Sequence, residues 1–309
     1  MVSNIEYVVN NFIVYKNRFT LQQAVFTRIK HDDAMVAIVY KVTPSTGLPL
    51  ILKIAERPQD YWRDIYFLKQ FANSLPVPRI IQTISPETDI HGAILMEYLP
   101  GTLLKTTELT ADLAYEIGSL LARIHLNRTE GYGDLTQPEA LSPDSSVHFT
   151  HKFEEGFAEC SNHLPRALLK QCNDYFTSHR TLFNTVDGPC IIHRDFRPGN
   201  MIVCEGKLQG IIDWASARAS FAEDDFCPLE HGEWSIKSQL KQSILAGYAS
   251  IRAVPDYQAI MPLLRMNRAL ATIGFLVKHK LWEGSQSRLY QANRRFLEAF
   301  LNDNPLEYK

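Results

Sequence analysis

Residues 191–214 constrain this chain more than any other stretch. They read Ile191-Ile192-His193-Arg194-Asp195-Phe196-Arg197-Pro198-Gly199-Asn200, then two short apolar runs, then Ile211-Ile212-Asp213-Trp214. Met201–Cys204 and Lys207–Ile211 have strand-like composition, and Glu205-Gly206 between them is a two-residue turn whose glycine supplies a positive φ. The spacing predicts a β-hairpin with Asn200 opposite Ile211, so Asn200 and Asp213 meet at its open end with Asp195 nearby. An amide oxygen and a carboxylate are hard donors suited to Mg²⁺, and a further carboxylate beside them suits a general base.

At 309 residues and 45% apolar, the chain can bury a sizeable core, organised as two lobes rather than one. A net charge of −2 supplies no basic field for nucleic acid. Cys160, Cys172, Cys190, Cys204 and Cys227 are odd in number and form no Cys-x-x-Cys pair, which favours reduced thiols and a cytoplasmic location. The first residues show no basic region followed by an apolar core, so no signal peptide is expected. No apolar run approaches the roughly 18 residues of a membrane span, and no membrane partner is expected.

The first part of the chain reads as a leading helix within residues 1–19, then strands. Val25–Ile29, Met35–Val42 and Pro49–Ile54 are three of them, with a turn at Pro44-Ser45-Thr46-Gly47. Tyr61, Ile65, Leu68 and Phe71 then recur at helical spacing, and Arg79–Ile84 and Gly92–Met96 complete a five-strand pattern with one inserted helix. Lys53 within its apolar strand has a plain reading, a snorkelling lysine on a solvent face. Ahead of an Asp/Asn/Asp constellation it has a second one, a cation aimed at nucleotide phosphates.

Glu97-Tyr98-Leu99-Pro100-Gly101 breaks the last strand and is expected to be a hinge. The expected organisation is a nucleotide-binding lobe at 1–96, a hinge at 97–101 and a catalytic and substrate-binding lobe at 102–309. After the hinge the pattern turns helical. Thr110 can cap a helix carrying Leu113, Ile117, Leu120, Leu121 and Ile124, and further helices are expected at 146–163, 165–183, 235–252, 257–281 and 284–302. His125, His148, His151, His163, His179, His231 and His279 lack metal-ligand spacing. His193 reads as a scaffold residue that pins the Asp195–Asn200 loop. Glu223-Asp224-Asp225, followed by Glu230 and Glu233, is either a solvated face or an anionic wall for a cationic substrate.

Taken together, these motifs in this order resemble the aminoglycoside phosphotransferase and choline kinase superfamily, small-molecule kinases with a protein-kinase-like fold. The resemblance covers about residues 20–230. It implies an α+β, two-lobed fold, with an N-terminal antiparallel five-stranded sheet plus helix and a mainly helical C-terminal lobe holding a catalytic β-hairpin. It implies that Asp195 is the catalytic base and that Asn200 and Asp213 hold Mg²⁺ on the phosphates of ATP. Trp214, where protein kinases have Phe-Gly, points to a small-molecule kinase. Leu52-Lys53-Ile54 resembles the strand of the phosphate-binding lysine. The helix partner of that lysine, normally a Glu fourteen residues before the second proline of Pro76-Val77-Pro78, falls on Asp64. One methylene shorter, Asp64 is expected to make a looser or water-mediated pair. Glu97 through its carbonyl and Leu99 through its N–H would contact adenine, and Met96 favours ATP over GTP. Asp225 falls on a position that usually has a structural role.

One departure stands out. The family's glycine- or serine-containing turn between the first two strands is here His31-Asp32-Asp33-Ala34-Met35, without glycine. Two carboxylates repel a triphosphate unless they face outward or meet a cation, so no phosphate contacts are assigned to this turn. Arg197 is open between stabilising charge near the γ-phosphate and standing in solvent. The implied reaction is phosphoryl transfer to a hydroxyl of a small molecule. An aminoglycoside, a cationic acceptor, comes first; choline, ethanolamine, homoserine, a methylthio-sugar or another sugar-like metabolite follows. The rival class is a catalytically silent nucleotide-binding pseudokinase.

Overall fold

In the computed structural model, residues 12–29, 37–232, 234, 236–284 and 286–303 are described. The chain forms two compact units, one of Met1–Ile124, His193–Arg218 and Ile236–Arg252, the other of His125–Ile192, Ala219–Ser235 and Ala253–Lys309.

The first unit begins with helix α1 (Phe12–Arg18), within the expected leading helix; residues 1–11 lie outside the described part. Strands β1 (Val25–Ile29), β2 (Ala37–Thr43) and β3 (Leu50–Ala55) follow, then helix α2 (Pro58–Phe71), then β4 (Ile80–Ile84) and β5 (Ala93–Glu97). The five strands form one antiparallel sheet in the order β1-β2-β3-β5-β4. The start of the expected second strand and the whole 31–35 turn lie outside the described residues.

Period-two alternation decides what each face of this sheet does. Ile38, Tyr40, Val42, Leu52, Ile54, Ala93 and Leu95 face a core completed by Tyr15 and Phe19 of the leading segment. Their neighbours Val39, Ile51, Lys53, Ile94 and Met96 therefore share the opposite face, with Lys53 paired to Val39 on one side and Ile94 on the other. Lys53 is only 11% exposed, so it is not a solvent-facing lysine. Helix α2 starts with proline in its first turn, where the missing N–H costs nothing. Its buried residues are Asp60, Tyr61, Asp64, Ile65, Phe67, Leu68 and Phe71, an apolar face that also carries two carboxylates, of which Asp60 is paired with Arg57.

Beyond the sheet, β6 (Thr102–Leu103) leads into helix α3 (Ala111–His125). Thr110 caps α3 as expected, its Oγ1 accepting the Leu113 N–H at 3.2 Å. Thr110→Ala should cost about 1 kcal/mol, the usual worth of such a cap; a shift in the urea unfolding midpoint at unchanged slope is the measurement.

The chain then enters the second unit, an assembly of helices around α4 (Val147–Cys160) and α5 (Arg166–His179), both inside expected helical segments, and the short strand β7 (Cys190–Ile192). It returns to the first unit for the hairpin β8 (Met201–Cys204) and β9 (Lys207–Ile211), which with β6 makes a three-stranded sheet in the order β6-β8-β9. Glu205 and Gly206 both have positive φ (50° and 74°), as a type I′ turn requires. The register differs from expectation by one residue. Val203 pairs with Leu208 but Ile202 pairs with Gly210, so a bulge at Gln209 shifts the ladder and Met201, not Asn200, faces Ile211. Asn200 instead accepts the Ile212 N–H on its carbonyl at 2.9 Å, and Asn200 still stands with Asp213 at the open end.

After β10 (Arg218–Ser220), the remaining elements are α6 (Cys227–His231), α7 (Ser238–Ala249, in the first unit), α8 (Met261–Lys278) and α9 (Ser287–Asp303). Helix α8 is the spine of the second unit, burying Leu263, Leu264, Met266, Leu270, Ile273 and Leu276. Among the described residues no helix is long and apolar enough to cross a membrane.

Candidate active site

The first unit encloses a cavity of about 370 Å³ lined by Lys53, Asp64, Glu97, Leu99, Asn200 and Asp213 together with apolar Val39, Ile51, Met96, Leu103, Ile202 and Ile212. The apolar lining comes partly from the free face of the five-stranded sheet and partly from the hairpin region. Lys53 and Asp64, Glu97 and Leu99, and Asn200 and Asp213 come from three separated stretches of the chain, and the fold places them around one space.

Charge in this cavity is organised by Lys53. Its ammonium lies 2.5 Å from Asp64 Oδ2 and 2.8 Å from Asp213 Oδ1. The looser or water-mediated pairing expected for an aspartate at position 64 is therefore incorrect. Helix α2 lies close enough for direct contact. Burial by itself would lower the lysine pKa, but the two carboxylates outweigh it and hold Lys53 above its ordinary range. Burial pushes Asp64 up to about 6 against the pull of Lys53, because its side chain is only 2% exposed. Asp213, 40% exposed, is held below the usual carboxylate range by the Lys53 charge.

Asp64 has a second partner. Its Oδ1 accepts the backbone N–H of Trp214 at 2.9 Å. The Trp214 ring is fully buried and lies 4.9 Å from Phe71 and 5.9 Å from Phe67, both on α2, and 4.6 Å from His193. His193 is fully buried and its Nε2 donates to the Ile212 carbonyl at 3.1 Å. This bond ties His193 to the segment entering Asp213, and its ring also lies 6.3 Å from that of Phe196 in the Asp195–Asn200 loop.

Asp195 receives two side chains. Arg197 Nε lies 3.0 Å from Oδ2 and 3.2 Å from Oδ1, and Asn200 Nδ2 donates to Oδ2 at 2.7 Å and to the Asp195 carbonyl at 2.8 Å. Because a carboxylate only accepts, the Asn200 nitrogen must face it, which leaves the amide oxygen as donor atom for a cation. Arg197 is 20% exposed and lines the cavity, so it is not a solvent-standing arginine. A Cβ at Gly199 would come within 2.5 Å of Arg197 Nη1; the glycine makes room for the guanidinium. Sequence reasoning left this arrangement open, although Arg-x-Gly within the motif carried the signal.

Asn200 and Asp213 fit a hard divalent cation that takes its other ligands from phosphate and water. Among the described residues there is no cluster of three or more His, Cys, Asp or Glu able to hold a metal alone.

Two carboxylates of the acidic run, Glu223 and Asp225, are buried rather than solvated. In the second unit Asp225 is buried against His125 Nε2 at 3.1 Å, and buried Glu223 accepts the Asp187 N–H at 2.9 and 3.1 Å. Glu230 accepts the Tyr257 hydroxyl at 3.0 Å. Glu233 lies outside the described residues.

Comparison with known proteins bears on this site. The family model APH, described as the phosphotransferase enzyme family, matches residues 36–262. The chain belongs to this phosphotransferase family. A homoserine kinase of Gluconobacter oxydans (strain 621H) is 28% identical over 184 residues, which is 58% of this chain and 56% of that protein. The chain thus aligns with little more than half the length of that curated relative. Among solved structures, a thermostable mutant of aminoglycoside phosphotransferase APH(4)-Ia, apo form, superposes with a TM-score of 0.71 at 12% identity, covering 94% of this chain and 98% of that one. A thermostable mutant of the same enzyme in ternary complex with AMP-PNP and hygromycin B gives 0.70 at 13% identity, with 96% and 99% covered. ADP-bound APH(2'')-Ib gives 0.64 at 14% identity, with 93% and 96% covered. This member of the phosphotransferase family therefore has the α+β, protein-kinase-like fold of the aminoglycoside phosphotransferases.

Proposed function

We propose that this phosphotransferase transfers the γ-phosphoryl group of ATP to a hydroxyl of a small molecule. The observation that carries the reading is Lys53, whose ammonium joins Asp64 to Asp213 in the wall of the cavity that also holds Asn200 and hinge residues Glu97 and Leu99. Residues 1–96 would serve as the nucleotide lobe and 97–101 as its hinge, with adenine held by the Glu97 carbonyl and the Leu99 N–H between apolar walls. Lys53, steadied by Asp64, neutralises phosphate charge. Asn200 and Asp213 would hold Mg²⁺, which supplies charge stabilisation on the phosphates when bound. Asp195 takes the acceptor's proton as the new O–P bond forms and the bond from the γ-phosphorus to the bridging oxygen breaks, releasing ADP.

For the acceptor, an amino alcohol of the homoserine type now comes first. The relative aligned by sequence is a homoserine kinase, whereas the likeness to aminoglycoside phosphotransferases, at 12–14% identity in the structures above, is a likeness of fold. The inward Glu223 and Asp225 also remove much of the acidic face that favoured a polycationic antibiotic. An ADP- or GDP-release assay with ATP or GTP should test homoserine, choline, ethanolamine, a methylthio-sugar and an aminoglycoside. Release stimulated by homoserine with ATP is the expected result. Stimulation by the aminoglycoside alone would reassign the acceptor, and nucleotide binding without acceptor-dependent release would favour the pseudokinase.

A further inference from the structure

We infer that Asp64 is a positioning residue for the metal-binding carboxylate of Asp213, beyond its pairing with Lys53. The inference rests on the phosphotransferase reading of the cavity and assigns a second role within it. Three contacts close a ring: Lys53 to Asp64 Oδ2 at 2.5 Å, Asp64 Oδ1 to the Trp214 N–H at 2.9 Å, and Lys53 to Asp213 Oδ1 at 2.8 Å. The peptide between Asp213 and Trp214 is thus tied to helix α2 through a side chain, and the Asp213 side chain is tied to the same helix through a lysine.

Asp213 needs such a hold. It has φ 66° and ψ 69°, the left-handed region that residues with a Cβ rarely adopt. Such a conformation persists when surrounding contacts over-determine it. Helix α2 supplies them along one face, with Asp64 on the Trp214 N–H and Phe67 and Phe71, one and two turns later, against the Trp214 ring. The chain leaving Asp213 is therefore gripped by a polar and an apolar contact from a single helix. Both Asp64 oxygens are committed, one to Lys53 and one to the Trp214 N–H, at distances set by the length of an aspartate on this helix. A glutamate would push its carboxylate past the present position and could keep one of the two partners, not both.

Two substitutions separate the roles. Asp64→Glu should retain the charge for Lys53 but lose the Trp214 N–H. Asp64→Asn keeps an oxygen for that N–H and loses the charge. Mn²⁺ binding, followed by electron paramagnetic resonance with and without ADP, reads the Asp213 site; a fluorescent ADP analogue without metal reads Lys53. For D64E, Mn²⁺ affinity should fall about tenfold while metal-free nucleotide affinity stays within about threefold, the worth of one buried hydrogen bond. For D64N the pattern should reverse. Equal loss of both affinities in D64E, or retained Mn²⁺ affinity there, overturns the inference. If D64E does not fold by circular dichroism, D64N decides: retained Mn²⁺ affinity with weakened nucleotide binding supports the second role, and loss of both opposes it. Wild-type protein that binds Mn²⁺ but no nucleotide would sink the kinase reading while D64E still tests Asp64. Wild-type protein that binds no Mn²⁺ in either condition overturns the inference itself.

Discussion

Asp195→Ala should lower acceptor-dependent turnover by about 10²- to 10⁴-fold, the usual worth of a positioned general base, while leaving nucleotide binding largely intact. The separation follows from the geometry. Asp195 is not part of the cavity wall; it is joined to that wall through Arg197 and Asn200, which do line it. Removing the carboxylate would take away the proposed proton acceptor and leave Lys53, Asp213, Glu97 and Leu99 in the cavity wall. Asp195→Asn is the sharper variant because its amide oxygen can still accept from Arg197 and Asn200 while the ability to take a proton, and the charge that pairs with Arg197, are lost. Single-turnover transfer, measured beside the affinity for a fluorescent ADP analogue, checks both halves. Near-normal turnover in either variant would remove Asp195 from the chemistry.

Lys53→Met should have the other large effect, on stability as well as binding. It leaves Asp64, 2% exposed, without its counter-charge, and breaking a buried pair from one side costs about 3–5 kcal/mol. Asp213 contributes less, since it is 40% exposed. The pH dependence gives the variant a signature. Asp64 already titrates high in the folded protein, at about 6, against about 3.9 in an unfolded chain. A carboxyl with a raised folded pKa contributes stability that is present below its unfolded pKa and lost as pH rises through the folded one. Without Lys53 the folded pKa moves further up, so the window of lost stability widens upward. Urea unfolding at pH 5.5 and 8 should show the deficit of Lys53→Met largest at pH 8 and partly recovered at pH 5.5. A deficit independent of pH would mean that Asp64 is not left charged and unpaired. Nucleotide binding should fall at both pH values.

Part of this molecule was legible from local pattern. The strand over 25–29, the hairpin strands 201–204 and 207–211, the Thr110 cap and the helical segments of the second unit all appear where composition and periodicity put them. Period-two alternation also implied that Lys53 faces away from Leu52 and Ile54, which is why one strand serves a core on one side and a cavity on the other. The bulge at Gln209 was not legible, because two plausible registers of a short hairpin differ by a single residue and neighbouring strands select between them.

The order of motifs, from the Lys53 strand through Glu97-Tyr98-Leu99-Pro100-Gly101 to Asp195, Asn200 and Asp213, was determined by the sequence alone and is enough to point to the family. Tertiary structure decided where the charges point. Asp64 meets Trp214 across 150 residues of chain and Lys53 meets Asp213 across 160, so no local spacing encodes either contact. The same holds for the acidic run. Read along the chain it is a surface feature, yet Asp225 pairs with His125 from 100 residues away and Glu223 turns to the Asp187 N–H. Burying a carboxylate is unfavourable until a partner arrives. The partner comes from elsewhere in the fold, so the hairpin at 201–211 could be drawn from its own residues while the ring that holds Asp213 at its open end could not.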